Sequence, residues 1–116
     1  MANRIYIGNL NEEVVYQKLK KELLASAISI KLVHDEIRNL YDKKIYFLVY
    51  DQYYSRANSR VSLSLLISEH NGMCKVSCVG SGGGQGIFFD FSWFSEDSFI
   101  QKCETILFEL GFKESQ

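Results

Sequence analysis

With 116 residues, 47% hydrophobic and 23% charged, the chain has room for one core, and its composition implies neither disorder nor a membrane protein. A formal net charge of -1 supplies no basic field to attract phosphates, so nucleic acid is not expected as a partner. No apolar run reaches the roughly 18 residues of a membrane span. Three cysteines, an odd number behind an N-terminus with no secretory pattern, read as reduced thiols in a cytoplasmic protein. Residues 1–116 are expected to form a single domain.

Arg4 to Gly8 alternates Ile5 and Ile7 with Tyr6 and reads as a first strand. Asn11 can cap a helix over about Glu12 to Ser26, with Glu12 and Glu13 at the positive end of its dipole and Val15, Leu19 and Leu23 on one face. From Ala27 the period changes to two. Ile28, Ile30 and Leu32 form the buried side of a second strand, which the polar stretch Asp35 to Lys43 is expected to close. Lys44 to Tyr54 is rich in aromatic and β-branched residues on both faces, as in a central strand covered on both sides.

Arg60 to Glu69 alternates Val61, Leu63, Leu65 and Ile67 with serines, and Asn71-Gly72 follows, the pair that suits a two-residue type I′ hairpin. That loop sets His70 opposite Met73, Ile67 opposite Val76, Leu65 opposite Cys78 and Leu63 opposite Gly80, and it places Cys74 and Cys78 inward. Beyond a glycine-rich stretch, Ile87 to Trp93 alternates as a further strand. Ser95 then caps a helix with a stripe of Phe99, Ile100, Cys103, Ile106, Leu107 and Leu110, stopped by Gly111. The fold class is α+β, β-α-β(4-5)-α, with a curved antiparallel sheet packed on a C-terminal helix. By fold analogy alone this order resembles TATA-binding-protein-like and helix-grip domains.

Gly80 to Gly86 raises the question of a phosphate cradle. Such loops lead into a helix and usually carry a lysine with Ser or Thr, whereas this one leads into Ile87-Phe88-Phe89. A conformational joint is the competing reading, and a third is a cleft rim at which Gly82, Gly83, Gly84 and Gln85 meet a ligand or partner. Asp90, between Phe89 and Phe91, is either a carboxylate among rings or the solvent side of a strand. Tyr53, Tyr54, Arg56 and Arg60 combine aromatic faces with guanidinium groups, a mixture that suits partner contact and also an ordinary strand end.

No metal set is expected, because Cys74 and Cys78 lie about 13 Å apart along a strand. No nucleophile elbow occurs, so no catalytic residue and no cofactor is assigned. Asn58-Ser59-Arg60-Val61-Ser62-Leu63, Ser81-Gly82-Gly83-Gly84-Gln85 and Phe94-Ser95-Glu96 together resemble a family of small uncharacterised bacterial proteins. That resemblance implies a compact bacterial domain and transfers no activity. The expected function is a non-enzymatic binding or self-association module, a homo-oligomer, with an apolar cleft between sheet and closing helix. The alternative is a carrier of a small apolar ligand, or a small enzyme, using the same cleft.

Overall fold

The computed structural model describes residues 2–55, 58–82 and 96–115. The elements run β1 (Ala2–Gly8), α1 (Glu12–Ala25), β2 (Ile30–Leu40), β3 (Lys43–Tyr54), β4 (Ser59–His70), β5 (Met73–Gly82), α2 (Glu96–Glu109) and β6 (Lys113–Glu114). The expected strand over 87–93 and the Ser95 cap lie outside the described residues. The fold class is α+β. The strands form one open antiparallel sheet in the order β2-β3-β4-β5-β1-β6, so the N-terminal strand docks beside the β4–β5 hairpin.

Local chemistry accounts for the element ends. Asn11 accepts a hydrogen bond from the Glu13 backbone N–H at 2.8 Å, which caps α1. Asn71 and Gly72 turn the β4–β5 hairpin at φ 53° and 79°, both positive as a type I′ turn requires. Glu69 accepts from the Gly72 N–H at 2.7 Å and from Lys43 Nζ at 2.6 Å, tying the turn to β3. The hairpin register is the expected one, including His70 with Met73 and Leu63 with Gly80. After α2 the Phe112 N–H reaches back to the Leu107 carbonyl at 2.9 Å, with Gly111 at φ 88° making the reversal.

Both helices lie on one face of the sheet. There α1 meets β2, β3 and β4, while α2 meets β4, β5 and β1. Tyr46, Leu48 and Tyr50 of β3, Val61 to Ile67 of β4 on alternate positions, and Val76 and Cys78 of β5 point under the helices. They join Val15, Leu19, Leu23, Phe99, Cys103 and Leu107 in one buried cluster. Gly8 belongs to the same face for a packing reason, since a Cβ there would stand 2.4 Å from the Phe112 ring.

Three expectations are corrected. Strand β2 does not close at Asp35 but continues to Leu40, because it pairs with β3 along its whole length, and an edge strand can turn charged side chains to water. The reversal instead uses Tyr41 at φ 61°. Ile28 is fully exposed rather than buried, for β2 begins only at Ile30. Strand β3 is covered on one side only by the described residues: Ile45, Phe47 and Val49 are half-buried on the face opposite the helices. The two-residue β6, paired with β1 through Tyr6 and Ile7, is an addition that its short polar sequence did not announce.

Candidate functional site

The register divides the aromatic and guanidinium cluster between two surfaces. Arg60 pairs with Tyr53, and both sit on the helix-free face, where the guanidinium lies 5.5 Å from the Tyr53 ring centroid and 3.8 Å from Asp51. Tyr54 and Gln52, one position to either side, belong to the helix face. The cluster is therefore not one surface. Arg56, Gly83, Gly84, Gln85 and Asp90 lie outside the described residues.

Gly82 ends β5 at the same end of the sheet, paired with Val61. Its φ is 92°, and a Cβ on it would stand 2.6 Å from the Arg60 carbonyl oxygen. Glycine is required at this position by the backbone itself.

On the helix face of that end lies Gln52, only 3% exposed. Its amide nitrogen donates to Ser29 Oγ at 3.2 Å, and its oxygen accepts from Tyr54 Oη at 3.0 Å and from Lys102 Nζ at 3.3 Å. Lys102 thus reaches from α2 to a neutral amide, with no carboxylate within ion-pair distance among the described residues. Loss of solvent around its ammonium lowers the Lys102 pKa. Lys102 also lines a hollow of about 310 Å³ between the helices, together with Glu22, Ser26, Thr105, Ile106 and Glu109.

The helix-free face has a different character. Phe47 of β3, Leu66 of β4, Ser77 of β5 and Ile5 of β1 form one cross-strand row, and Val49, Ser64, Val79 and Asn3 the next. Leu66, near the middle, is 44% exposed. Charges stand at the margins: Glu36 and Arg38 of β2 form an ion pair beside a hollow of about 380 Å³ floored by Ile45, Phe47 and Leu66, while Asp51 and Lys75 close the two ends.

Other chemistry-bearing residues are structural. Cys78 and Cys103 bring their sulfurs to 3.5 Å in the core, where the hydrogen bond between them and burial hold the Cys103 thiol far above its ordinary pKa. Burial pushes Cys74 up to about 12. No group of His, Cys, Asp and Glu among the described residues could hold a metal ion. Tyr6 and Tyr50 are fully buried, and burial raises both phenols, so neither is a ready base. Tyr16 donates to Asp35 at 2.8 Å, Lys20 pairs with the same carboxylate at 2.7 Å, and the Tyr16 ring stacks on Tyr46, a clamp of α1 onto β2 and β3.

Sequence reasoning missed Lys102, Phe47 and Leu66, and it grouped Gln52 with the neighbouring tyrosines and arginines rather than reading it as a buried amide. A signal existed for Gln52, the single polar residue in the inward phase Tyr46, Leu48, Tyr50, Gln52. Lys102 gave none, because a lysine next to a helix stripe is ordinarily solvated.

No helix among the described residues is long and apolar enough to cross a membrane. No curated protein matches the chain. A family model matches residues 1–111, and so extends beyond the second half of the sequence to β1 and α1. The chain belongs to this family, a family of unknown function designated DUF6054.

Proposed function

We propose that the chain is a non-enzymatic self-association module that pairs with a second copy through the helix-free face of its sheet. The observation that carries this reading is the uncharged middle of that face, in which Phe47, Val49, Leu66 and Val79 alternate with Ser64 and Ser77 while charge is confined to the rim. An antiparallel sheet with one face in water ordinarily turns polar residues outward along every strand. Strand spacing and the two-residue repeat give each outward position about 32 Å² of sheet. Counted over five strands about four rows deep, with the charged rim included, the face offers about 600 Å² per copy, and two copies would bury about 1,200 Å², the lower bound for a specific interface.

An apolar ligand between sheet and helix has less support. Leu63, Leu65, Val76 and Cys78 are packed against Phe99, Cys103 and Leu107, and none of these side chains is exposed.

Sedimentation equilibrium tests the proposal. The expected result is a dimer that dissociates in the micromolar range, as suits a small interface. Leu66→Asp, or Ser64→Lys if the first variant loses its circular dichroism, shifts the chain to monomer, while Leu24→Asp on the outside of α1 leaves the dimer intact. A wild-type monomer up to millimolar concentration, or a dimer indifferent to both sheet variants, would overturn it.

A further inference from the structure

The two edges of the sheet differ. The outer side of β1 is taken by β6 through Tyr6 and Ile7, whereas no described strand pairs with the outer side of β2. That edge is long, from Ile30 to Leu40, and Val33, Ile37 and Leu40 are exposed on it. The two-residue turn Tyr41-Asp42 makes Leu40 and Lys43 a hydrogen-bonded pair, and the register runs without a shift from there back to His34. Hydrogen-bonded and open pairs alternate along an antiparallel ladder, so Arg38, Glu36 and His34 direct their backbone groups to β3. The N–H and C=O of Asn39, Ile37 and Asp35 therefore point away from the sheet, at the spacing that a further strand would need.

We infer that β2 pairs with β2 of a second copy, antiparallel about a two-fold axis at Ile37, so that two six-stranded sheets become one. The outward backbone groups meet only where odd-numbered residues face odd-numbered ones, which centres the axis on a residue of the strand. Charge selects the residue. An axis at Asp35, Glu36 or Arg38 sets that side chain against its own copy, and like charges directly opposite are destabilising. An axis at His34 or Asn39 shortens the ladder, because the register shift before His34 and the turn at Tyr41 end it. At Ile37 the axis sets Ile37 against Ile37 of the second copy, Asp35 against Asn39, and Glu36 against Arg38 twice over. Glu36 and Arg38 share the helix-free face, opposite Phe47 and Ile45, and the Arg38 side chain is mostly exposed. Charges on an edge ordinarily discourage pairing. Opposite charges two residues apart do the reverse here, because a two-fold axis between them brings each onto its complement. Three hydrogen-bonded pairs, about six backbone bonds, make a contact below the standard interface size. This pairing goes beyond the face-to-face association proposed above and is compatible with it, since both helix-free faces lie on the same side of the joined sheet.

The test is sedimentation equilibrium up to millimolar concentration in the Leu66→Asp background, in which the sheet face is disabled. A dimer far weaker than that of the sheet face is expected, with a dissociation constant on the order of several hundred micromolar. Ile37→Pro should abolish it, because the proline removes an N–H that points outward and none of the bonds to β3. Glu36→Arg and Arg38→Glu should each weaken it at least about tenfold by setting like charges opposite. An equimolar mixture of those two variants should recover the loss, because their strands complement each other. Neither Glu36 nor Arg38 is buried, so the charge variants keep the test decisive if Ile37→Pro loses its circular dichroism. A Leu66→Asp chain that stays monomeric to millimolar concentration, or a mixture that associates no better than either variant alone, would overturn the inference. Equal association of wild type and Leu66→Asp, lost with Ile37→Pro, would support the edge pairing while refuting the sheet face, so the two readings fail separately.

Discussion

Replacement of Gly82 by alanine separates a backbone requirement from a functional one. At φ 92° an L-residue is strained, and the new methyl would meet the Arg60 carbonyl oxygen at 2.6 Å, backbone that cannot swing aside. The positive φ costs about 1–2 kcal/mol. Forcing β4 and β5 apart by a few tenths of an ångström adds about 1–3 kcal/mol, the usual range for overpacking. Gly72→Ala supplies the reference, since its φ of 79° carries the first cost while nothing lies within 4 Å of its Cβ. Urea unfolding of the two variants should therefore differ by about 1–3 kcal/mol, and their melting temperatures by several degrees. Equal losses would refute the steric reasoning, and Gly82 would then have to be explained by what binds at the sheet end rather than by the ladder.

The three thiols should resist a disulfide reagent at pH 8 in the native protein, because Cys74 titrates near 12 and Cys78 and Cys103 are buried against each other. All three become reactive together on unfolding, and one fast thiol in native buffer would contradict the placement of the core. The Asp35 carboxyl is pushed up by burial but held below its ordinary value by the hydrogen bonds from Lys20 and Tyr16, which outweigh it. Its folded pKa is lower than its unfolded one, so the stability it contributes is present above about pH 4 and lost as pH falls through the folded value. Asp35→Asn should lower stability at neutral pH and flatten its acid dependence; an unchanged slope below about pH 4 would count against the clamp.

How much of this was legible depends on which interaction decides each feature. The β4–β5 hairpin was readable to the residue because Asn71-Gly72 fixes the register locally and the alternation of Val61 to Ile67 agrees with it. The Asn11 cap of α1 and the stop at Gly111 were readable for the same reason. Strand β2 beyond Asp35 was not, since its hydrogen bonds to Lys43–Tyr46 and beyond are supplied by a neighbour, and its residues Glu36, Arg38 and Asn39 have no β preference of their own. The shift between Leu32 and His34 compounds this, for it breaks the period of two within the strand.

The same distinction governs the candidate sites. Tyr53, Tyr54 and Arg60 look like one cluster in sequence because they are neighbours along the chain, yet a strand turns successive residues to opposite faces. Tyr54 consequently serves the Gln52 amide under the helices, whereas Tyr53 and Arg60 close the rim of the open face. Lys102 reaches Gln52 across fifty positions of sequence, and the uncharged row Phe47, Leu66, Ser77, Ile5 is assembled from four strands. Neither arrangement is written in any contiguous segment. Outward-facing apolar residues in each strand singly are unremarkable; only the antiparallel order β3-β4-β5-β1 brings them onto one face, over which neither α1 nor α2 lies. A surface of that kind is decided by topology, which is why its substitution, rather than that of the tyrosine and arginine neighbours, is the sharper test of what this fold does.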